Sequence, residues 1–354
     1  MLTACMPPQH KKPNYASYVW PLPPDRARMR LLNIITTDLD VREPSESEGM
    51  FGLVVTKTFT KPADVATDSA GNIYVTDSYG NNVYIINEQR GIWDGFQTRF
   101  AFKEPLGISI DEDSRLIAIA ETQRVSLFNL DTHQIVRNIG HDEALIRPNG
   151  VAFDVRYKFL YVCDTKTSKV LKYTYDGTLV AVLAEPDGDQ VSVYYPTDLE
   201  VDNKGNVYVV DTLNWRIKVF NVDGEFVREF GGHGAGPGSF GRPKGIAISR
   251  DGDIIAITDA DFNNFQLLNP EGKVYTVASG PGTTPTRFFV PQGIHFDKQD
   301  RLYIVDQINR RIQIFQIYTD RWYQEHGDPV QAPEPAPAAE PNPSGDQPAP
   351  AGAR

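Results

Sequence analysis

The sequence predicts an all-β fold, a six-bladed β-propeller with four strands in each blade. Three observations lead there. A proline recurs at Pro62, Pro105, Pro148, Pro196, Pro243 and Pro291. An acid recurs in step with it, at Asp77, Glu121, Asp164, Asp211, Asp259 and Asp306. Around these markers lie short alternating or β-branched runs, separated by turns rich in Gly, Asn and Asp, which read as strands. A period in the forties with four strands per repeat is a propeller pattern, and six repeats make six blades.

Tyr195 to Phe220 shows the unit most clearly. Leu199–Val201, Val207–Val210 and Ile217–Phe220 form three strands, and Phe226–Phe230 forms a fourth after the Asp223-Gly224 turn. One such sheet cannot bury both faces alone, so it requires its neighbours. The pattern P-x-G-I-A-x-D, G-N-x-Y-V-x-D, N-x-R-I-x-V-F resembles the NHL repeat family, most closely at Pro196–Phe220 and Pro291–Phe315. The stretch Gly232–Phe240, G-H-G-A-G-P-G-S-F, matches that family's glycine-rich lead-in. The resemblance covers roughly residues 51–315. It implies the fold but not the activity, because the family includes enzymes, sensor domains and nucleic-acid binders.

Composition narrows the partners. With 35 Lys and Arg against 46 Asp and Glu, the formal charge is −11. That opposes a nucleic-acid partner, whose footprint is basic. Two cysteines, Cys5 and Cys163, give neither a disulfide framework nor metal-site spacing. No apolar run is long enough to span a membrane.

At the start, Leu2-Thr3-Ala4-Cys5 looks like a bacterial lipobox, with residues 1–5 a signal-peptide remnant and Cys5 the lipidated residue. An accidental match is the competing reading. Residues 6–27 are Pro-rich and polar, as expected of a tether. The reading places the protein outside the cytoplasm, lipid-anchored to the cell envelope, with the outer membrane favoured by Met6. Residues 28–325 form the propeller, and the Pro/Ala-rich residues 326–354 are expected to be disordered. Arg28–Ile35 reads as a strand, and so does Gly52–Thr60. Gly52–Thr60 directly precedes the first proline, so it is expected to close the ring by joining the sixth blade, with Arg28–Ile35 outside it. Arg321–Gln324 is the rival closing strand.

The binding face of a propeller carries the segments before each inner strand and the turns after each second strand. The acid series invites a calcium reading, since hard cations want several carboxylates. One acid per blade at one phase is also what the repeat requires, with each acid holding the turn after it. Lys169, Arg216 and Arg311 recur five residues on as candidate ion partners.

Departures from the repeat carry more information. Two residues after the proline stand Gly107, Gly150, Gly245 and Gly293, but Asp64 in blade 1 and Asp198 in blade 4, which face each other across the ring. Two carboxylates at the channel mouth could bind a cation or polar ligand, act as acid and base, or cap a local turn. Lys61, Arg147, Asn149, Arg242, Lys244 and Gln292 complete a polar rim suited to an anionic or peptide ligand. Some six-bladed propellers similar to this one are zinc lyases with three convergent histidines. Here His10, His133, His141, His233, His295 and His326 do not reproduce that pattern, and His295 lies within an inner strand. No cofactor is expected, since ligand spacing supports neither calcium nor zinc. Cys163 reads as an inert small hydrophobe.

The function expected is a monomeric envelope module binding a protein, peptide or glycan without catalysis. A metal-dependent hydrolase or lyase at the channel mouth is the alternative, and a structural spacer a third reading.

Overall fold

In every repeat the second strand is buried along its length or all but its first residue, as Ile73–Asp77, Val207–Asp211 and Arg301–Asp306 illustrate. The outer strand alternates between half-buried and exposed, as in Phe226–Gly231. A strand inside a sheet that is packed on both faces must be apolar on both; one at the rim has a wet side. These patterns place the sheets side by side around an axis with their fourth strands outward.

The computed structural model describes residues 13–21, 26–44, 56–140, 145–186 and 191–328. Blade 1 is Pro62–Thr67, Ile73–Asp77, Asn82–Asn87 and Ile92–Gly95. Blades 2 to 5 repeat that antiparallel order, with inner strands Ile108–Asp111, Pro148–Asp154, Pro196–Val201 and Pro243–Ile248. Blade 6 takes Pro291–Phe296, Arg301–Asp306 and Arg311–Ile317 from the C-terminal side.

Its fourth strand comes from the other end of the chain. With β1 as Val19–Trp20 and β2 as Met29–Ile35, the sixth sheet runs β1, β2, then Arg311–Ile317 and inward. Met29 pairs with Ile317 and Ile35 with Ile312. An N-terminal strand therefore closes the ring, but it is Met29–Ile35 rather than Gly52–Thr60. Residues 52–55 lie outside the described residues, and Thr58 makes only an isolated bridge to Thr37. Arg321–Gln324 is not a strand either: it lies within helix α1, Asp320–His326, capped by Thr319 Oγ1 accepting from Trp322 N at 3.0 Å. The segment read as a tether is partly structural. Val19 and Ala27 are buried against Tyr318, and Tyr15, Tyr18 and Trp20 pack on the gap between blades 5 and 6. Cys5 and residues 329–354 lie outside the described residues.

One hydrophobic cluster fills each gap between neighbouring blades. Each also contains the residue three before a repeat proline: Phe59, Phe102, Leu145, Val193, Phe240 and Phe288, all buried. This apolar series has the same period as the proline and fixes the segment between blades as part of the core. Among the described residues no helix is long and apolar enough to cross a membrane.

Candidate functional site

The repeated acids hold the ring together from one face. Asp77 accepts from Thr60 N and Lys61 N before the proline and from Gly80 N after the second strand. Asp164 does the same with Ile146 N, Arg147 N, Lys166 N and Thr167 N, and Asp259 with Gly241 N, Arg242 N, Asp261 N and Phe262 N. Each buried carboxylate satisfies backbone donors in two loops at once, which supplies the physical reason for one acid per blade. Of the three expected ion partners, only Arg311 meets its acid, Asp306, at 2.7 Å. Lys169 pairs with Glu185 at 3.5 Å, and Arg216 with Glu229, because both point outward to the fourth strand.

Asp64 and Asp198 tie the inner strands to their neighbours. Asp64 Oδ2 accepts from Ile108 N of blade 2 at 2.9 Å, and Asp198 Oδ2 from Ile246 N of blade 5 at 3.0 Å. On the other side each lies against a glycine. A Cβ on Gly293 would sit 2.1 Å from Asp64 Oδ1, and one on Gly150 2.5 Å from Asp198 Cα. Glycine at those two positions is what admits the aspartates. Each aspartate thus links three blades, 6-1-2 and 3-4-5.

Above them opens a cavity of about 270 Å³. It brings together Asp64, Asp198, Lys61, Arg147, Asn149, Arg242, Lys244 and Gln292, the full rim expected from the sequence, with Glu104, Tyr195, Thr197 and Gln307. Arg147 Nη2 lies 2.8 Å from Glu104, and Arg242 Nε 2.9 Å from Asp261. Among the described residues Lys61 and Lys244 have no ion-pair partner. Burial, aided by the neighbouring Arg242 charge, brings the Lys244 ammonium down to about 8, and its Nζ stands 5.7 Å from the Tyr195 ring centroid.

Below the aspartates the channel widens again into about 200 Å³. Glu200 and His295 line it, and the sequence reading singled out neither as a channel residue. Both stand four residues after a repeat proline, where Ala66, Ser109, Ala152 and Ala247 occupy the other blades. That contrast of type at a fixed phase was the available signal. Thr67 Oγ1 and His295 Nε2 are 3.0 Å apart, and burial lowers the imidazole to about 4. Burial raises both Asp64 and Asp198, and the charge of Asp64 raises Asp198 further. Burial lifts Glu200 to about 7, with Val201 N as its donor at 3.0 Å.

These acids set a pH dependence. A carboxyl raised from 4.5 to about 7 binds a proton in the folded chain that the unfolded chain has released, so stability falls as pH climbs between those values. His295 acts oppositely, since the folded chain keeps it neutral, but only below its unfolded value near 6.5. Glu200→Gln is therefore expected to stabilise the protein at pH 8 by on the order of 2 kcal/mol, allowing for water in the channel, and to have little effect near pH 4. Denaturant midpoints at the two pH values check this.

The face around the mouth is also apolar. Tyr79, Leu213 and Ile308 each stand two residues after a repeat acid; Tyr79 is 75 % exposed and Ile308 59 %. Phe100, Ile146, Tyr194, Tyr195 and Phe289 are exposed in the segments before the prolines. Among the described residues the remaining exposed large hydrophobics lie on fourth strands, except Val155 and Tyr157 on the opposite face.

Comparison with known proteins agrees with this architecture. Residues 187–269 match the family described as 6-bladed beta-propeller, and residues 59–83 match the NHL repeat. NHL repeat-containing protein 3 of Homo sapiens is 25% identical over 166 residues, 44% of this chain. The chain spans about half that relative's length, 47%. An auxiliary nutrient binding protein from Bacteroides thetaiotaomicron superposes with TM-score 0.59 at 15% identity, over 81% of this chain and 76% of that one. A streptogramin B lyase superposes with TM-score 0.56 at 12% identity, over 74% and 95%. The fold is that of a six-bladed β-propeller, and residues 59–83 of it match the NHL repeat.

Proposed function

We propose that the protein is a binding module of the bacterial cell envelope, lipid-anchored through Cys5, that presents its mouth face to a protein or peptide partner and performs no chemistry of its own. The observation that carries the binding reading is the gathering of exposed apolar side chains around a polar, cation-lined mouth. Apolar patches rimmed by polar groups mark interaction surfaces, and aromatic anchors carry much of the energy in such interfaces. The likeness to a nutrient-binding protein supports a binding role at the level of the fold. The lipobox-like start supports the location.

The alternative of a metal-dependent hydrolase or lyase asks more of the site. Asp64 and Asp198 are already committed to backbone donors of the next blade, so a metal would have to share those carboxylates with them. A stoichiometric, tightly held metal in purified protein would favour that alternative.

Expression in the native host, with a photoreactive residue placed at Tyr79 or Ile308, tests the binding reading. A defined cross-link to one envelope partner, from a membrane-bound chain with acyl mass at Cys5, is expected. A soluble unacylated chain would remove the anchor, and cross-linking from Tyr157 alone would remove the mouth face.

A further inference from the structure

Blade 5 is built differently from the two blades beside it. Two residues before the proline and two after the acid, blade 4 carries Tyr194 and Leu213, and blade 6 carries Phe289 and Ile308. In both blades a backbone bond joins the pair, Leu213 N to Tyr194 O at 3.1 Å and Ile308 N to Phe289 O at 3.2 Å. Each pair therefore forms one apolar shoulder. Blade 5 has Gly241 and Asp261 at the same positions, and sends Arg242 and Lys244 into the mouth. Gly241 keeps the notch low, since even a Cβ there would lie 2.9 Å from the Phe262 ring.

We propose that this notch binds an acidic peptide segment, its carboxylate entering the mouth at Lys244 and its flanking apolar side chains resting on the shoulders of blades 4 and 6. The proposal rests on the mouth-face reading above and adds the chemistry of the partner. Charge complementarity argues for it. Among the described residues Lys244 has no ion-pair partner, while Arg242 is held to one side by Asp261. A carboxylate there would gain charge-assisted bonds in a partly desolvated site. Size argues for it too. The cavity of about 270 Å³ lies just under the ~300–1,000 Å³ of drug-sized ligand sites. That room suits an inserted side chain or chain end whose remaining contacts lie outside. The charges facing Lys244 are Arg242, Asp261 and the floor acids Asp64 and Asp198, with Lys61, Arg147 and Glu104 across the mouth. Rising pH discharges Lys244 and ionises Asp64, so binding weakens through pH 7 to 8.

The test is affinity selection of a random N-acetylated octapeptide library on the full chain at pH 6.5, followed by titration of synthesised winners. Winners with Asp, Glu or an acidic terminus beside apolar residues are expected. Lys244→Met should weaken them at least about tenfold, Lys244→Arg should largely restore them, and Leu213→Ser with Ile308→Ser should also weaken them. Unchanged thermal unfolding of each variant verifies the fold. Neutral or basic winners that still lose affinity in the Leu213→Ser/Ile308→Ser variant would overturn the acidic partner and leave the mouth face standing. Winners indifferent to both changes, or no winners, would overturn both. Displacement by inorganic phosphate, with no effect of the shoulder variant, would make the notch a small-anion site and overturn the proposal.

Discussion

A chain begun at Thr36, lacking β1 and β2, is expected to give no soluble folded monomer. Removing β2 leaves the Arg311–Ile317 strand with an open edge, uncharged from Ile312 to Ile317, a template for aggregation. It also strips Met29, Leu31 and Ile34 from the gap between blades 5 and 6, and Ile35 from the gap between blades 6 and 1. Four buried side chains at about 1.5–3 kcal/mol each compare with the whole stability of a domain, about 5–15 kcal/mol. The single change Leu31→Ala should cost about 2–5 kcal/mol and remain measurable. Size-exclusion chromatography and circular dichroism of the shortened chain decide the matter. A cooperative, monomeric, β-rich product would mean that another segment closes the ring.

Asp306→Ala is the second large effect, expected at about 3–5 kcal/mol of lost stability. Asp306 is fully buried and accepts from Phe289 N at 2.8 Å, Arg311 Nε at 2.7 Å and Asn309 Nδ2 at 2.9 Å. Without it the buried Arg311 guanidinium keeps three carbonyls, of Thr283, Thr284 and Arg287, but no counter-charge. Lys169→Ala is the control, because its pair with Glu185 is exposed at both ends and worth about 1 kcal/mol or less. Guanidinium midpoints for the two variants should differ clearly. Equal midpoints would show that the repeated acids do not staple the ring.

The blade count was legible because it is written six times over. Proline, acid and glycine positions each follow from one backbone geometry, and that geometry repeats. The polar rim was legible for the same reason, since the channel mouth is built from the residues beside each proline. The closing strand was not. Gly52–Thr60 has the right offset from Pro62, but closure depends on which strand can lie along Arg311–Ile317 and fill two apolar gaps, and Met29–Ile35 does both. Sequence distance has no bearing on that choice. The outward turn of Lys169 and Arg216 was equally hidden, because Glu229 on one fourth strand and Glu185 just past another draw them away. Glu200 and His295 were readable in principle, because each breaks the residue type that the repeat sets at its position, as Asp64 and Asp198 do. The apolar shoulders were not, because the repeat sets no single residue type at their positions.

The measurement that tests the central claim most directly compares the two faces of the ring. Photoreactive residues at Phe100, Tyr79 and Ile308 on the mouth face, and at Val155 and Tyr157 on the opposite face, would be expressed singly in the native host and irradiated. One partner cross-linked from all three mouth positions and from neither opposite position is the result expected. The same partner cross-linked mainly from Val155 or Tyr157 would contradict the assignment of the mouth as the binding face.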